Sequence, residues 1–264
     1  MSTYVMGMDI GSTTSKGVIL NEKREIVKTF LVHAGTGTSG PQQVREGLLK
    51  ESGLEAEDIL YTVATGYGRK TYEGADAQVS ELSCHGKGTH FLFPEVRTVI
   101  DIGGQDAKVL KLDAQGRMSN FLMNDKCAAG TGRFLEVMAN ILQLQVSDLE
   151  KEAAKAEEAL KISSTCTVFA ESEVISQLAS GADTPALVKG ICRSVASRTA
   201  ALARRIGVEE KVCMSGGVAN NGGVRQALEE ELGVAILYSP LAQLTGALGA
   251  ALFAADKVGS KEES

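Results

Sequence analysis

Short apolar runs rich in β-branched residues open the chain. Residues 4–9, 16–20 and 25–32 predict three strands, the last two parted by the turn Asn21-Glu-Lys-Arg24, in an antiparallel meander. A Gly/Thr-rich loop covers 35–40. Pro41 then opens a helix that stops at Gly53, with Pro inside the start and Gly at the stop. Residues 59–64 predict a strand, and 80–93 a helix before Pro94.

From Arg97 the pattern begins again. Residues 97–102, 107–112 and 118–123 predict strands, with the turn Asp113-Ala-Gln-Gly116 between the last two. The residues repeat along with the pattern. Asp9-Ile-Gly-Ser-Thr-Thr-Ser-Lys16 aligns with Asp101-Ile-Gly-Gly-Gln-Asp-Ala-Lys108 at a constant spacing of 92 residues. Such a repeat predicts two similar halves facing each other. Further on, 131–144 reads as a helix, and Ser147-Asp-Leu-Glu150 as a capping box opening another. Helices are expected over 167–178 and from Thr184-Pro185 to about Gly207. A strand at 212–215, a helix at 221–232 and a strand at 234–238 follow. The last helix starts after Pro240 and runs to about 256, leaving 257–264 as a polar, frayed tail. The fold class is α/β.

Composition narrows the function. With 264 residues, 44% hydrophobic and 23% charged, the chain belongs with soluble globular proteins. A net charge of −6 and the absence of Trp argue against a nucleic-acid or anionic-membrane surface. The stretch 1–9 lacks the basic start and apolar run of a signal peptide, and 244–255 is too short to span a bilayer, so a cytoplasmic location is expected. There the five cysteines are expected as thiols or metal ligands.

Three glycine loops carry the candidate chemistry. The first, Ser12, Thr13, Thr14, Ser15 and Lys16 after Gly11, joins two strands, so it is not a Walker loop. Its N–H groups and hydroxyls can still wrap phosphate oxygens, with Lys16 neutralising charge. Asp9 at the strand end suits a Mg²⁺ ion held through water. The second loop offers Gly103 and Gly104 for close approach, Gln105 to orient an attacking water, and Asp101 and Asp106 as metal or base candidates. The third, Gly216, Gly217 and Val218, lies between a strand and a helix and suits a nucleoside or terminal phosphate. Gln243, ahead of the last helix, is a further nucleotide candidate.

Two cysteines stand apart. Cys127 in Asn124-Asp-Lys-Cys-Ala-Ala-Gly-Thr-Gly132 and Cys166 in Ser163-Ser-Thr-Cys-Thr-Val-Phe-Ala-Glu171 each precede a predicted helix. A thiolate there faces free N–H groups and the positive end of the helix dipole. Two such cysteines are half the set of an iron–sulfur cluster. Cys84, Cys192 and Cys213 read as buried residues, Cys84-His85 lacks a second ligand pair, His33 and His90 read as structural or exposed, and the charge run 150–158 reads as the wet face of a helix.

The Asp-x-Gly loops and the late Gly-Gly loop resemble the actin, Hsp70 and sugar-kinase superfamily. More specifically, Thr65-Gly-Tyr-Gly-Arg69, the 101–108 loop, both cysteine segments and Gly246-Ala-Leu-Gly-Ala-Ala251 resemble the activator (initiator) component of 2-hydroxyacyl-CoA dehydratases. The resemblance covers essentially the whole chain. It implies two ribonuclease-H-like halves with ATP or ADP in the cleft between them. The first would take 1–94, with the helix 241–256 packing back on it, and the second 95–240, bearing the cluster helices. It also implies a homodimer with one [4Fe–4S] cluster at the subunit interface, held by Cys127 and Cys166 of each chain. Reduced ferredoxin or flavodoxin would supply an electron, and ATP hydrolysis would drive it into a separate dehydratase. Asp9, Asp101 and Gln105 would organise Mg²⁺ and water. The rivals are a small-molecule kinase on the same fold, with Asp106 as base; a non-catalytic ATP switch; and an ATPase subunit of a benzoyl-CoA reductase.

Overall fold

The computed structural model describes residues 3–124, 127–163 and 166–262, with the side chains of 261 and 262 excepted. Asp125, Lys126, Ser164 and Thr165, inside the two cysteine segments, lie outside the described residues. The chain divides into two compact units. One holds the chain up to Pro94, Asp113–Met118 and the part from Gln243 onward; the other holds Glu95–Leu112 and Ser119–Ala242.

In the first unit β1 (Tyr4–Ile10), β2 (Ser15–Asn21) and β3 (Ile26–Val32) form the meander, and β4 (Ile59–Thr65) and a short β5 (Ala77–Gln78) extend it. The sheet order is β3-β2-β1-β4-β5, antiparallel from β3 to β1 and parallel from β1 to β5. Beyond Tyr4, β1 is buried along its whole length because both faces of the sheet are covered. Met6, Met8 and Ile19 pack with Val44 and Leu48 of α1 (Gly40–Ser52). Val5, Val18, Leu20 and Val63 pack with α8 (Thr245–Glu262) and with Cys84 of α2 (Glu81–Leu92). The alternation of β1 side chains therefore assigns one face to α1 and the other to α2 and α8.

The second unit repeats the plan. β6 (Thr98–Ile102), β7 (Ala107–Leu112), β8 (Met118–Asn124), β9 (Val212–Ser215) and β10 (Ile236–Leu237) lie in the order β10-β9-β6-β7-β8. Each strand of the first sheet has a counterpart at the same position in the second. The 92-residue spacing of the sequence repeat holds through β3 and β8 and into the helices, since α1 starts at Gly40 and α3 (Gly132–Ile141) at Gly132. One core joins β6, β7 and β9 to α3, α4 (Leu149–Ala153), α5 (Thr167–Ala179), α6 (Thr184–Ile206) and α7 (Gly222–Leu232).

Several local expectations change. The capping box is Gln145 with Asp148, not Ser147 with Glu150, because a 3₁₀ turn precedes α4 and shifts the helix start. The charge run leaves the helix after Ala153, so it is not one wet helical face. Asp183, not Thr184, caps α6, its carboxylate accepting from Ala186 N at 3.1 Å. The predicted strand at 234–238 shortens to Ile236–Leu237, and α8 continues to Glu262, through most of the expected tail. No described helix is long and apolar enough to cross a membrane.

Glycines set the α2–α8 spacing. A Cβ on Gly88 would overlap the Thr245 carbonyl oxygen, and one on Gly249 the Cys84 carbonyl oxygen. Gly249→Ala is therefore expected to cost about 1–3 kcal/mol by overpacking. Thermal melting should show a transition several degrees lower; an unchanged transition would mean that the helices separate freely.

Candidate functional site: paired carboxylate loops and two exposed thiols

The same carboxylate–lysine unit is built once in each half. In β1 and β2, Asp9 and Lys16 are register partners, and Lys16 Nζ lies 3.0 Å from Asp9 Oδ2. The turn between them closes through Gly11 N donating to Thr14 O at 2.9 Å. In β6 and β7, Asp101 and Lys108 are register partners at 3.4 Å, and the turn closes through Gly103 N donating to Asp106 O at 2.9 Å. Asp9, Asp101 and Lys108 are buried, so each charge depends on its partner for compensation.

The two copies differ in two respects. Lys108 also pairs with Asp106 at 2.7 Å, so Asp106 is held by a cation. Ser215 Oγ donates to Asp101 Oδ1 at 2.8 Å, fixing the second carboxylate from the neighbouring parallel strand. Ser12, Thr13, Thr14 and Lys16 stay partly accessible, and Gln105 is exposed. Ser15 is buried, and its hydroxyl donates to Ala34 O at 2.7 Å, so that hydroxyl is committed to the fold.

Gly216 follows β9 with φ +83°, and a Cβ there would crowd Ile102 O and stand 2.9 Å from Asp101 Oδ1. Gly66 follows β4 with φ +86°, and a Cβ there would stand 2.5 Å from both Asp9 Oδ1 and Ile10 O. Each carboxylate thus has backbone against it where only glycine fits. Gly216 stands out in the sequence and this role of Gly66 does not, although the matching hydroxyl–Gly steps Thr65-Gly66 and Ser215-Gly216 mark it. Gly216 N also donates to Ala242 O at 2.9 Å, while Gln243 lies in the 3₁₀ turn before α8.

Beyond the Gly216 loop the second unit opens a cavity of about 800 Å³, lined by Glu150, Lys189, Arg193, Gly222, Arg225 and Gln226 among others. Glu150 Oε2 accepts from Gly222 N at 3.0 Å. Lys189 Nζ donates to Ala156 O and Glu157 O at 2.9 and 2.8 Å. The Arg225 guanidinium stacks 4.0 Å from the Tyr238 ring centroid. Lys189, Arg193 and Arg225 did not stand out in the sequence, because they come from α6 and α7 and carry no shared spacing, and Glu150 stood out only as part of a capping box and a charge run.

The cysteines separate cleanly. Burial pushes the Cys84, Cys192 and Cys213 thiols up to about 12, so they stay protonated. Cys127 and Cys166 are exposed. His85 is buried and lies 3.2 Å from Thr245 Oγ1 through Nδ1, a contact within the fold. Cys166 is the N-cap residue of α5, its carbonyl accepting from Ala170 N at 2.9 Å.

Cys127 departs from the expectation. A turn over 128–131 separates it from α3, with Thr131 N and Oγ1 both bonded to Ala128 O. The first N–H groups of α3 go elsewhere: Gly132 N donates to Gly103 O and Arg133 N to Gly104 O, each at 2.8 Å. The helix end that was expected to face Cys127 is tied to the second glycine loop instead. α3 in turn packs on α5. Apolar side chains are exposed on the same elements: Val168, Phe169 and Ile175 on α5, and Phe121 and Met123 on β8.

The two sheets and their helices have the actin and sugar-kinase fold. A ROK-family glucokinase structure from Streptomyces griseus, with glucose and AMPPNP, matches the fold at TM-score 0.58 and 14% identity, covering 96% of this chain and 99% of its own. Residues 6–254 match the BadF/BadG/BcrA/BcrD ATPase family, and the chain belongs to that family. It is 59% identical over 258 residues to the (R)-2-hydroxyglutaryl-CoA dehydratase activating ATPase of Acidaminococcus fermentans, covering 97% of this chain and 99% of the relative. The ADPNP-bound structure of the 2-hydroxyisocaproyl-CoA dehydratase activator from Clostridium difficile is similar at TM-score 0.97 and 55% identity, covering 99% of this chain and 97% of that one.

The thiol contrast is directly measurable. Brief treatment of the metal-free native protein with iodoacetamide should label Cys127 and Cys166, with Cys84, Cys192 and Cys213 reacting only after unfolding. Peptide mass spectrometry reads the sites; labelling of a buried cysteine at the same rate would contradict the assignment.

Proposed function

We propose that this ATPase activates a 2-hydroxyacyl-CoA dehydratase by ATP-dependent one-electron transfer. The observation that carries the proposal is the pair of hydrogen bonds from Gly132 N and Arg133 N to Gly103 O and Gly104 O. They join a candidate phosphate loop to the helix that follows Cys127.

On this reading Asp9 and Asp101 hold Mg²⁺ through water, and Lys16 with the 12–14 turn takes phosphate oxygens. Gln105, exposed at the tip of the second loop, orients the attacking water. Gly216, Gly217 and Val218 let the nucleotide approach the backbone, and the cavity beyond them takes the nucleoside. Gln243 is a nucleotide contact of the same proposal.

The donor set fits an iron–sulfur cluster. The two exposed thiols are soft ligands and the three buried ones are held protonated, so each chain offers half of a four-thiolate set. Two copies related by a two-fold axis complete it, and the exposed Val168 and Phe169 beside Cys166 supply apolar surface for that contact. When bound, the cluster supplies one-electron storage between a reduced ferredoxin or flavodoxin and the dehydratase. The chain's own part is mechanical: a shift of Gly103 and Gly104 with nucleotide state pulls the start of α3, and α5 moves with it.

Anaerobic purification with iron and sulfide counts tests the reading. About four irons per two chains are expected. Cys127→Ser and Cys166→Ser should each lose them. Gln105→Ala should keep them while its ATP turnover falls by about 10²-fold. An iron-free protein that phosphorylates a sugar would overturn the proposal in favour of a kinase.

A further inference from the structure

The two thiols sit in different electrostatic settings. Cys166 is the N-cap residue of α5 and so sits at the positive end of a helix dipole. Cys127 lies before a turn, and the first N–H groups of α3 are spent on Gly103 and Gly104. A thiolate at Cys127 therefore lacks the helix end that Cys166 has.

Arg198, on α6, packs against the turn that follows Cys127. Its side-chain stem packs against Gly130, at φ +92°, where a Cβ would lie 3.3 Å from Arg198 Cβ and 3.4 Å from Cδ. Its guanidinium lies 5.5 Å from the ring centroid of Phe134 in the first turn of α3. Nη1 donates to Ser194 O at 2.9 Å and to Ser194 Oγ, which fixes the head group. A cavity of about 210 Å³ beside it is lined by Asn124, Ala129, Gly130 and Arg198. Asn124 Nδ2 donates to Cys127 O at 3.3 Å, so the same small region holds the cysteine's own backbone. Burial pulls the Arg198 pKa down, with negative charge at Cys127 acting against it. A guanidinium keeps its proton regardless.

We infer that Arg198 is a positioning residue for the Cys127 ligand, bracing its turn and supplying the fixed positive charge that the α5 N-terminus gives Cys166. The inference rests on the cluster reading above. Packing alone would explain the Gly130 and Phe134 contacts. It would not explain an effect of charge on reduction, because each added electron raises the negative charge that Arg198 faces.

Arg198→Met and Arg198→Lys separate the two roles. Both are purified anaerobically, and iron content, the EPR signal of the reduced protein and the midpoint potential are measured. Arg198→Met should hold iron but be harder to reduce by at least tenfold in equilibrium constant, about 59 mV for one electron. Arg198→Lys, which keeps charge, should recover most of that shift. If Arg198→Met holds no iron while Arg198→Lys holds a full complement, the charge is required for assembly and the inference stands. Full iron with an unchanged potential in Arg198→Met would overturn it. So would loss of iron from both variants. Absence of iron from the unaltered protein would instead refute the cluster reading itself.

Discussion

The hold of the second glycine loop on α3 is the contact on which the functional account depends. Two carbonyl oxygens, on Gly103 and Gly104, take the first two N–H groups of the helix. A helix start leaves such donors unpaired, and burying them unpaired is costly, so the loop and the helix end must satisfy one another. The loop is stiff at its base. Asp101 is bonded to Ser215 and paired with Lys108, and Lys108 also holds Asp106. Movement at the candidate phosphate site therefore has a short physical route to α3, and through packing to α5.

Duplication explains why one half supports this link and the other does not. Strand order, register and turn closure recur in both units, and α1 and α3 start at matching positions. In the first unit Ser39 precedes α1 without a side-chain cap, Pro41 removes a donor at the start, and Thr36 N is the group that bonds to Gly11 O. In the second unit the helix itself makes the corresponding bond to Gly103. Cys127 lies in the chain between β8 and α3. The second copy thus joins a phosphate-type loop to a ligand-bearing turn, where the first has only a loop.

Much of this was legible in the sequence. The Asp-Ile-Gly and Lys positions, 92 residues apart, marked both loops, while the facing of Asp9 with Lys16 and of Asp101 with Lys108 comes from the antiparallel register. Pro41 and Gly53 bounded α1 because their backbone preferences are strong and local. What the sequence hid depends on tertiary contact. Glu150 is exposed, as the charge run suggested, but the bond its carboxylate accepts from Gly222 N across the second unit has no mark in the sequence. The dipole argument for Cys127 failed because apolar periodicity does not say which acceptor takes the first helical N–H groups. Arg198 gave no signal at all: its importance comes from Gly130 and Phe134, far from it in sequence.

Hydrogen–deuterium exchange of the segment 127–141, compared between ADP and a non-hydrolysable ATP analogue, tests the central link most directly. The account predicts that exchange at Gly132 and Arg133 changes with the nucleotide, together with exchange in the 103–106 loop. A response confined to the loop, with α3 exchanging identically in both states, would contradict it.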